Sequence, residues 1–351
     1  MACCRPCSFG LLYRATSRRG ESIVAPERDV PARSSAAKAA FLSFLFPGLG
    51  QGYLRHVRAA LIFAMPAVVL AAIVAVSLAD GLTQTVTAAM VLRCTEGRRL
   101  SLDDTIGSYG VSTTEPDASV RQLLTHTSGA PNNLTFSLRL ERLAPLWPIV
   151  RACAVDSFRE TFATLLHRLG MFDSVPGPNM LRIAAPAEGV PHPSDVERYA
   201  AVLQRRATPY SVGGNLRASV SSYPESASVL SPATGLVTTV RDLAKFDLAL
   251  KREILLESET LEHAWSVPSA HGTPLPHGIG WFVQTYNGEK VVWQFGLAEN
   301  ASSSLVIMLP ARGLTVILMA NSDGLVKLYS PASGDVTKSP FARLFLNVFV
   351  R

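Results

Sequence analysis

Charge is scarce in this chain: only 17% of its 351 residues are Asp, Glu, Lys or Arg, while 48% are hydrophobic. That balance excludes disorder as the main state, because disordered chains are poor in apolar residues and rich in charge. Cysteine is scarce as well. Five in 351 residues, three of them crowded at Cys3, Cys4 and Cys7, cannot staple a chain of this length and exclude a disulfide scaffold. Excess basic charge is missing from most of the chain. Of 33 Lys/Arg and 27 Asp/Glu, nine and three fall in residues 1–58, so the remaining 24 and 24 cancel. The basic character belongs to one end, and a nucleic-acid-binding domain is not expected. His271 and His277 flank a Pro-rich turn without metal-ligand spacing, so neither a metal nor a cofactor is expected.

What is present first is a hydrophobic run. Ala59 to Ala79 holds 21 residues without a charge, about 31 Å as a helix and enough to cross a hydrocarbon core of about 30 Å. Arg55 and Arg58 precede it and Asp80 follows. The positive-inside rule then makes residues 1–38 a basic cytoplasmic tail and places everything after Asp80 outside. A signal peptide is a poor alternative, because both the 58-residue lead and the run are too long. Upstream, residues 39–54 (AAFLSFLFPGLGQGYL) are apolar but broken by Pro47, Gly48, Gly50 and Gly52, which reads as a re-entrant or half-spanning segment. This stretch is similar to a short module that opens many bacterial membrane proteins. The lipid bilayer is therefore the one partner expected outright.

From Gly81 onward the texture is that of a globular α+β protein. Ser119 caps an expected helix to Thr127. Phe158, Phe162, Leu165, Leu166 and Leu169 trace one apolar helix face ended by Gly170, and Val240, Leu243, Phe246 and Leu250 trace another after Thr239. Residues 175–231 are rich in Pro, Gly and Ser and read as long loops. The last third switches period. Residues 279–286 and 289–295 flank Asn287-Gly288, a strong hairpin signal; residues 303–309 and 314–320 are further strands, and residues 341–350 a closing helix. A helical region followed by an antiparallel sheet covered by helices is the expected architecture.

Residues 88–109 (AAMVLRCTEGRRLSLDDTIGSY), 120–131 (VRQLLTHTSGAP), 165–177, 234–250, 278–284 and 302–325 come in an order that resembles the serine β-lactamase and penicillin-binding-protein-like hydrolases, class C β-lactamase relatives included. The resemblance spans about 240 residues and implies that family's fold, with an N-terminal truncation. The membrane run occupies the place where two sheet strands are expected, so domain 81–351 lacks them and its sheet edge stays open. The family's chemistry rests on a Ser-x-x-Lys, where the amine helps deprotonate the hydroxyl; a Tyr-x-Asn, a second proton carrier with a substrate-holding amide; and a Lys/His-x-Gly strand beside the oxyanion.

On the resemblance, the nucleophile position falls on Gly81 and the Lys position on Gln84; the Tyr and Asn positions fall on Leu138 and Leu140; and the third motif reads Gln294-Phe295-Gly296. None of these supplies a nucleophile, a base or a cation, so no catalytic set is intact. The chain's one Ser-x-x-Lys, Ser35 to Lys38, lies in the tail before the run. Thr83, Thr85 and Thr87 read as helix-start residues and His126 as a structural residue of a turn. The expectation is a membrane-anchored pseudoenzyme with a candidate cleft of Gln84, Leu138, Gln294 and Gly296, open to a cell-wall-like or acyl ligand. Two alternatives stand beside it: an active hydrolase whose nucleophile has moved, to Ser128 or Ser302–Ser304, and a membrane interaction protein carrying a passenger domain.

Overall fold

The computed structural model describes residues 8–14, 77–78, 82–129, 134–154, 156–182 and 193–350. The segment 39–54, the Ser-x-x-Lys of the tail, Gly81 and most of the apolar run lie outside them. No described helix is long and apolar enough to cross a membrane.

The strands are β1 (Ser8–Arg14), β2 (Ser77–Leu78), β3 (Val175–Pro176), β4 (Tyr210–Val212), β5 (Ala218–Val220), β6 (Leu236–Thr238), β7 (Ser269–Ala270), β8 (Thr273–Pro274), β9 (Phe282–Tyr286), β10 (Glu289–Ala298), β11 (Ser302–Leu309) and β12 (Leu314–Ala320). The α-helices are α1 (Leu82–Glu96), α2 (Val120–Leu124), α3 (Leu146–Cys153), α4 (Phe158–Arg168), α5 (Pro193–Gln204), α6 (Val240–Lys251), α7 (Ser258–Ala264) and α8 (Pro340–Phe349). Five strands form one antiparallel sheet in the order β1-β12-β11-β10-β9, and β2-β6-β3 form a small second one.

The expected antiparallel meander holds. At the β9–β10 turn Asn287 and Gly288 have φ of 48° and 78°, the two positive values that match the twist of a two-residue hairpin. β9 begins at Phe282, three residues later than the alternation suggested, because Gly280 (φ 85°) turns the chain before it enters the ladder. Two expectations are corrected. The helix after Ser119 stops at Leu124, with Thr125 as its cap, and His126 at φ 54° has already left helical space. The region read as loops contains helix α5, whose Tyr199 and Val202 are buried.

A third correction concerns the sheet edge. Ser8–Arg14, expected inside a tail, pair along their whole length with β12, from Ser8 opposite Ala320 to Arg14 opposite Leu314. The sheet therefore has an N-terminal edge strand. Ser77 and Leu78, the last part of the apolar run, are also strand and pair with Thr238 and Val237.

Alternation along the strands gives the sheet two apolar faces. Val292, Met308, Ile317 and Met319 belong to the main core with α1, α2, α4 and α6. Phe282, Trp293, Leu305, Ile307, Val316 and Leu318 belong to a second core closed by Ala342, Phe345 and Leu346 of α8. Helix α1 runs through the middle: every residue from Leu82 to Leu92 is buried, its polar ones included. A disulfide joins Cys94 on α1 to Cys153 on α3, with Cα atoms 6.1 Å apart. Closing a loop of 59 residues is worth about 4 kcal/mol in the chain-entropy account. Spacing alone gave no sign of this bridge, because its cysteines carry no local pattern.

Candidate functional site

Gln84 sits in the first turn of α1, where the resemblance expects a lysine. It is 2% exposed, and its Oε1 is buried without a hydrogen-bond partner. The neighbouring hydroxyls serve the backbone. Thr83 Oγ1 accepts the Leu236 N–H at 3.1 Å and so ties α1 to β6, while Thr85 Oγ1 donates to the Leu82 carbonyl at 2.5 Å.

Gln294 lies on β10, also 2% exposed. Its Nε2 donates to the Gly280 carbonyl at 3.3 Å and its Oε1 accepts the Phe295 N–H at 2.9 Å. Both ends of this amide are held by backbone, so the side chain braces the strand. Gly280 also meets α1 closely: a Cβ built there would stand 2.3 Å from Ala88 Cβ. Only a residue without a side chain permits that approach, and the positive φ adds a second reason for glycine. Through Gly280 the structure brings Gln84 and Gln294 to one place, at the junction of α1 and β10.

The other expected positions separate. Leu138 packs against the second core and Leu140 against the main one. Of the candidate cleft Gln84, Leu138, Gln294 and Gly296, the two amides are buried at this junction and Leu138 packs on the core of the opposite sheet face. A cavity of about 920 Å³ lies elsewhere, lined by Met90, Arg93, Cys94, Cys153 and Arg168 beside the disulfide.

Two histidines lie near this junction. His126 and His277 meet edge to face at 4.8 Å between ring centroids, and His277 packs on Phe282 at 4.6 Å. Burial pushes His126 down to about 4. Burial, and next the charge His126 would carry, hold His277 well below the ordinary imidazole range. Both are neutral near pH 7. His277 Nδ1 lies 2.7 Å from the Gly278 carbonyl, as a donor, and the His126 carbonyl accepts the Ser137 N–H at 2.9 Å. The His126 backbone, at φ 54°, thus holds the turn.

Three serines of the alternative reading are either held by backbone or stand apart. Ser303 Oγ donates to the Ser322 carbonyl at 2.6 Å and accepts the Leu325 N–H at 3.2 Å. The Ser128 and Ser304 hydroxyls are buried without a hydrogen-bond partner. Among the described residues no cluster of three or more His, Cys, Asp or Glu could hold a metal ion. A hydroxyl–lysine pair does occur at Thr315, which accepts from Lys251 Nζ at 2.6 Å and donates to Asp247 at 2.9 Å. Thr315 is fully buried under α6, so this network anchors the helix to β12.

Residues 82–332 match the family model described as Beta-lactamase. No curated protein matches the chain. Solved structures of similar fold include the octameric penicillin-binding protein homologue from Pyrococcus abyssi, at 18% identity and a TM-score of 0.57. That likeness covers 73% of this chain and spans 64% of the homologue's length. The D-amino acid amidase from Ochrobactrum anthropi SV3 is similar at 16% identity and a TM-score of 0.58, over 78% of this chain and 84% of the amidase. A D-stereospecific amidohydrolase from Streptomyces sp. is similar at 17% identity and a TM-score of 0.54, over 79% and 87% of the two chains. These likenesses establish the fold.

Proposed function

The chain belongs to the beta-lactamase family, whose model matches residues 82–332, and we propose that it is a membrane-attached member without hydrolytic chemistry. One observation carries the reading. The junction where the resemblance expects a lysine and a Lys/His-x-Gly strand holds two buried amides, Gln84 and Gln294, one of them committed to backbone at both ends. Neither group can take a proton from a nucleophile, and Gly81 offers no hydroxyl to activate. Neutral His126 and His277 are enclosed in aromatic packing and do not replace the lost amine.

Attachment to the bilayer rests on the apolar run that ends at β2. The Cys94–Cys153 disulfide supports a domain outside the cytoplasm, since such bridges persist in oxidising compartments. The ligand class carried by this reading is a cell-wall-like or acyl compound bound without turnover.

Intact-mass spectrometry of the full-length, detergent-purified protein, incubated with a penicillin and separately with a fluorophosphonate, tests the proposal. Both reagents trap an activated serine. The expected result is no adduct, beside an active relative that labels fully, together with thermal stabilisation by the penicillin. A stoichiometric adduct mapped to one serine would overturn it.

A further inference from the structure

Residues 198–224 hold four arginines and no Asp or Glu, and within them lies an exposed apolar hairpin. β4 and β5 pair Tyr210 with Val220, Ser211 with Ser219 and Val212 with Ala218. Directly opposite residues share a face, so one face carries Tyr210, Val212, Ala218 and Val220 and the other the two serines. β4 is tied to the body. The Tyr210 N–H donates to the Asn321 carbonyl at 2.8 Å, the Val212 N–H to Asp323 Oδ1 at 2.7 Å and Ser211 Oγ to Asn300 Oδ1 at 2.9 Å. β5 is on the solvent side: its three residues are all exposed, Val220 by 69%. In the turn between them Leu216 is 71% exposed at φ 59°, a strained backbone for a leucine. Gly213 and Gly214 of the same turn sit outside that left-handed region. Leu216, so exposed, gains little packing to offset the strain, and an outlier of this kind points to a functional contact.

The anchor lies at one end of the large sheet. Asn300 is in the β10–β11 connection, and Asn321 and Asp323 follow the end of β12. The small sheet adjoins the same end, because Ala298 and Ala301 share a core with Val175 and Val237, and Val237 pairs with Leu78 of β2. Leu78 belongs to the last part of the apolar run. The end of the domain that receives the run is therefore the end that carries the hairpin. Resting on the membrane attachment proposed above, we infer that the β4–β5 hairpin is a second bilayer contact, which lays Leu216 and Val220 among the headgroups of an anionic lipid surface with Arg217 against lipid phosphates. The charge fits. Arg198 and Arg205 are in ion pairs with Asp195 and Asp173, while Arg206, over the Tyr223 ring at 4.1 Å, and exposed Arg217 keep the hairpin positive. Basic residues held near such a surface are drawn to it. Addition of a partner's strand fits less well, since a β5 of three residues offers few ladder bonds.

A bimane on Leu216→Cys reports this contact in the full-length chain, with Cys3, Cys4 and Cys7 replaced by serine, in vesicles of phosphatidylcholine and phosphatidylglycerol. Ala311→Cys, exposed in the turn at the opposite end of the strands, is the control. The expected result is blue-shifted emission from Leu216→Cys, quenched more by shallow nitroxide lipids than by chain-end ones, since interfacial elements sit about 5–10 Å deep. The quenching should weaken without phosphatidylglycerol, and Ala311→Cys should stay unquenched throughout. Solvent-like, unquenched emission from Leu216→Cys in a chain that resists alkaline carbonate would overturn the contact and leave the attachment standing. Emission that turns apolar only as protein density in the vesicles rises would give the face to a second copy and overturn it too. Release of the chain by carbonate would sink the attachment and this contact with it, leaving the family assignment and the adduct experiment untouched.

Discussion

The two faces of the five-stranded sheet differ in what they bury. Toward α8 the inward residues include Phe282, Trp293, Leu305, Ile307, Val316 and Leu318, with Ser303 Oγ held by backbone and the Trp293 indole nitrogen unpartnered. Toward α1, apolar Val292, Met308 and Ile317 are interleaved with Gln294, Ser304 and Thr315, and α1 itself adds Gln84 and Thr87. Of these, Gln84 Oε1, Thr87 Oγ1 and Ser304 Oγ have no hydrogen-bond partner. A buried polar atom without a partner costs about 1–3 kcal/mol. The α8 face is shaped for packing; the α1 face keeps polar atoms that packing alone does not explain.

The comparison breaks most readily on the α8 face. Trp293 stacks on Phe282 at 4.3 Å and lies near Phe295 at 6.2 Å. Trp293→Ala should destabilise the domain by about 3–5 kcal/mol through lost burial and a cavity, read as a fall in the denaturant midpoint. A loss below about 1 kcal/mol would mean that this face is loosely packed.

A smaller effect comes from the histidine pair at the edge of that face. Both imidazoles are held neutral in the folded protein, His126 down to about 4, whereas unfolded histidine titrates near 6.5. The unfolded state thus binds more protons below about 6.5, so stability is full above that pH and is lost as pH falls toward 4. Urea unfolding between pH 7.5 and 5 should show a falling midpoint, and His126→Asn with His277→Asn should flatten it. An unchanged slope in the double variant would place the pH dependence elsewhere.

The smallest effect belongs to the α1 face and separates it most sharply from the other. Gln84→Leu removes an unpaired buried acceptor at similar volume, so stability should hold or rise by up to about 1 kcal/mol. Calorimetry that found a loss above about 2 kcal/mol would show that Gln84 makes bonds essential to the fold.

Much of the fold was legible because local rules and tertiary packing agree there. Strands 314–320 and 303–309 and the Asn287-Gly288 turn follow from alternation and turn chemistry, and the helices starting at Phe158 and after Thr239 from apolar spacing. Helix α5 was missed because Pro and Gly around it mask a face that is apolar only at Tyr199, Val202 and their neighbours. Helix α1 shows almost no amphipathic stripe because it is buried on all sides; its place followed from the family resemblance.

The same division runs through the site. Sequence determined the residue types at Gly81, Gln84, Leu138, Leu140 and Gln294, and the resemblance implied that the family's chemistry is expected there. Tertiary structure decided what those residues do instead: Gln84 and Gln294 meet around Gly280, while Leu138 and Leu140 enter different cores. It also decided that Cys94 reaches Cys153 and that Ser8–Arg14 close the sheet against β12. Those pairings join residues as far as 312 positions apart, Ser8 with Ala320. No local pattern encodes them, because strand partners are chosen by which edge the rest of the core leaves exposed.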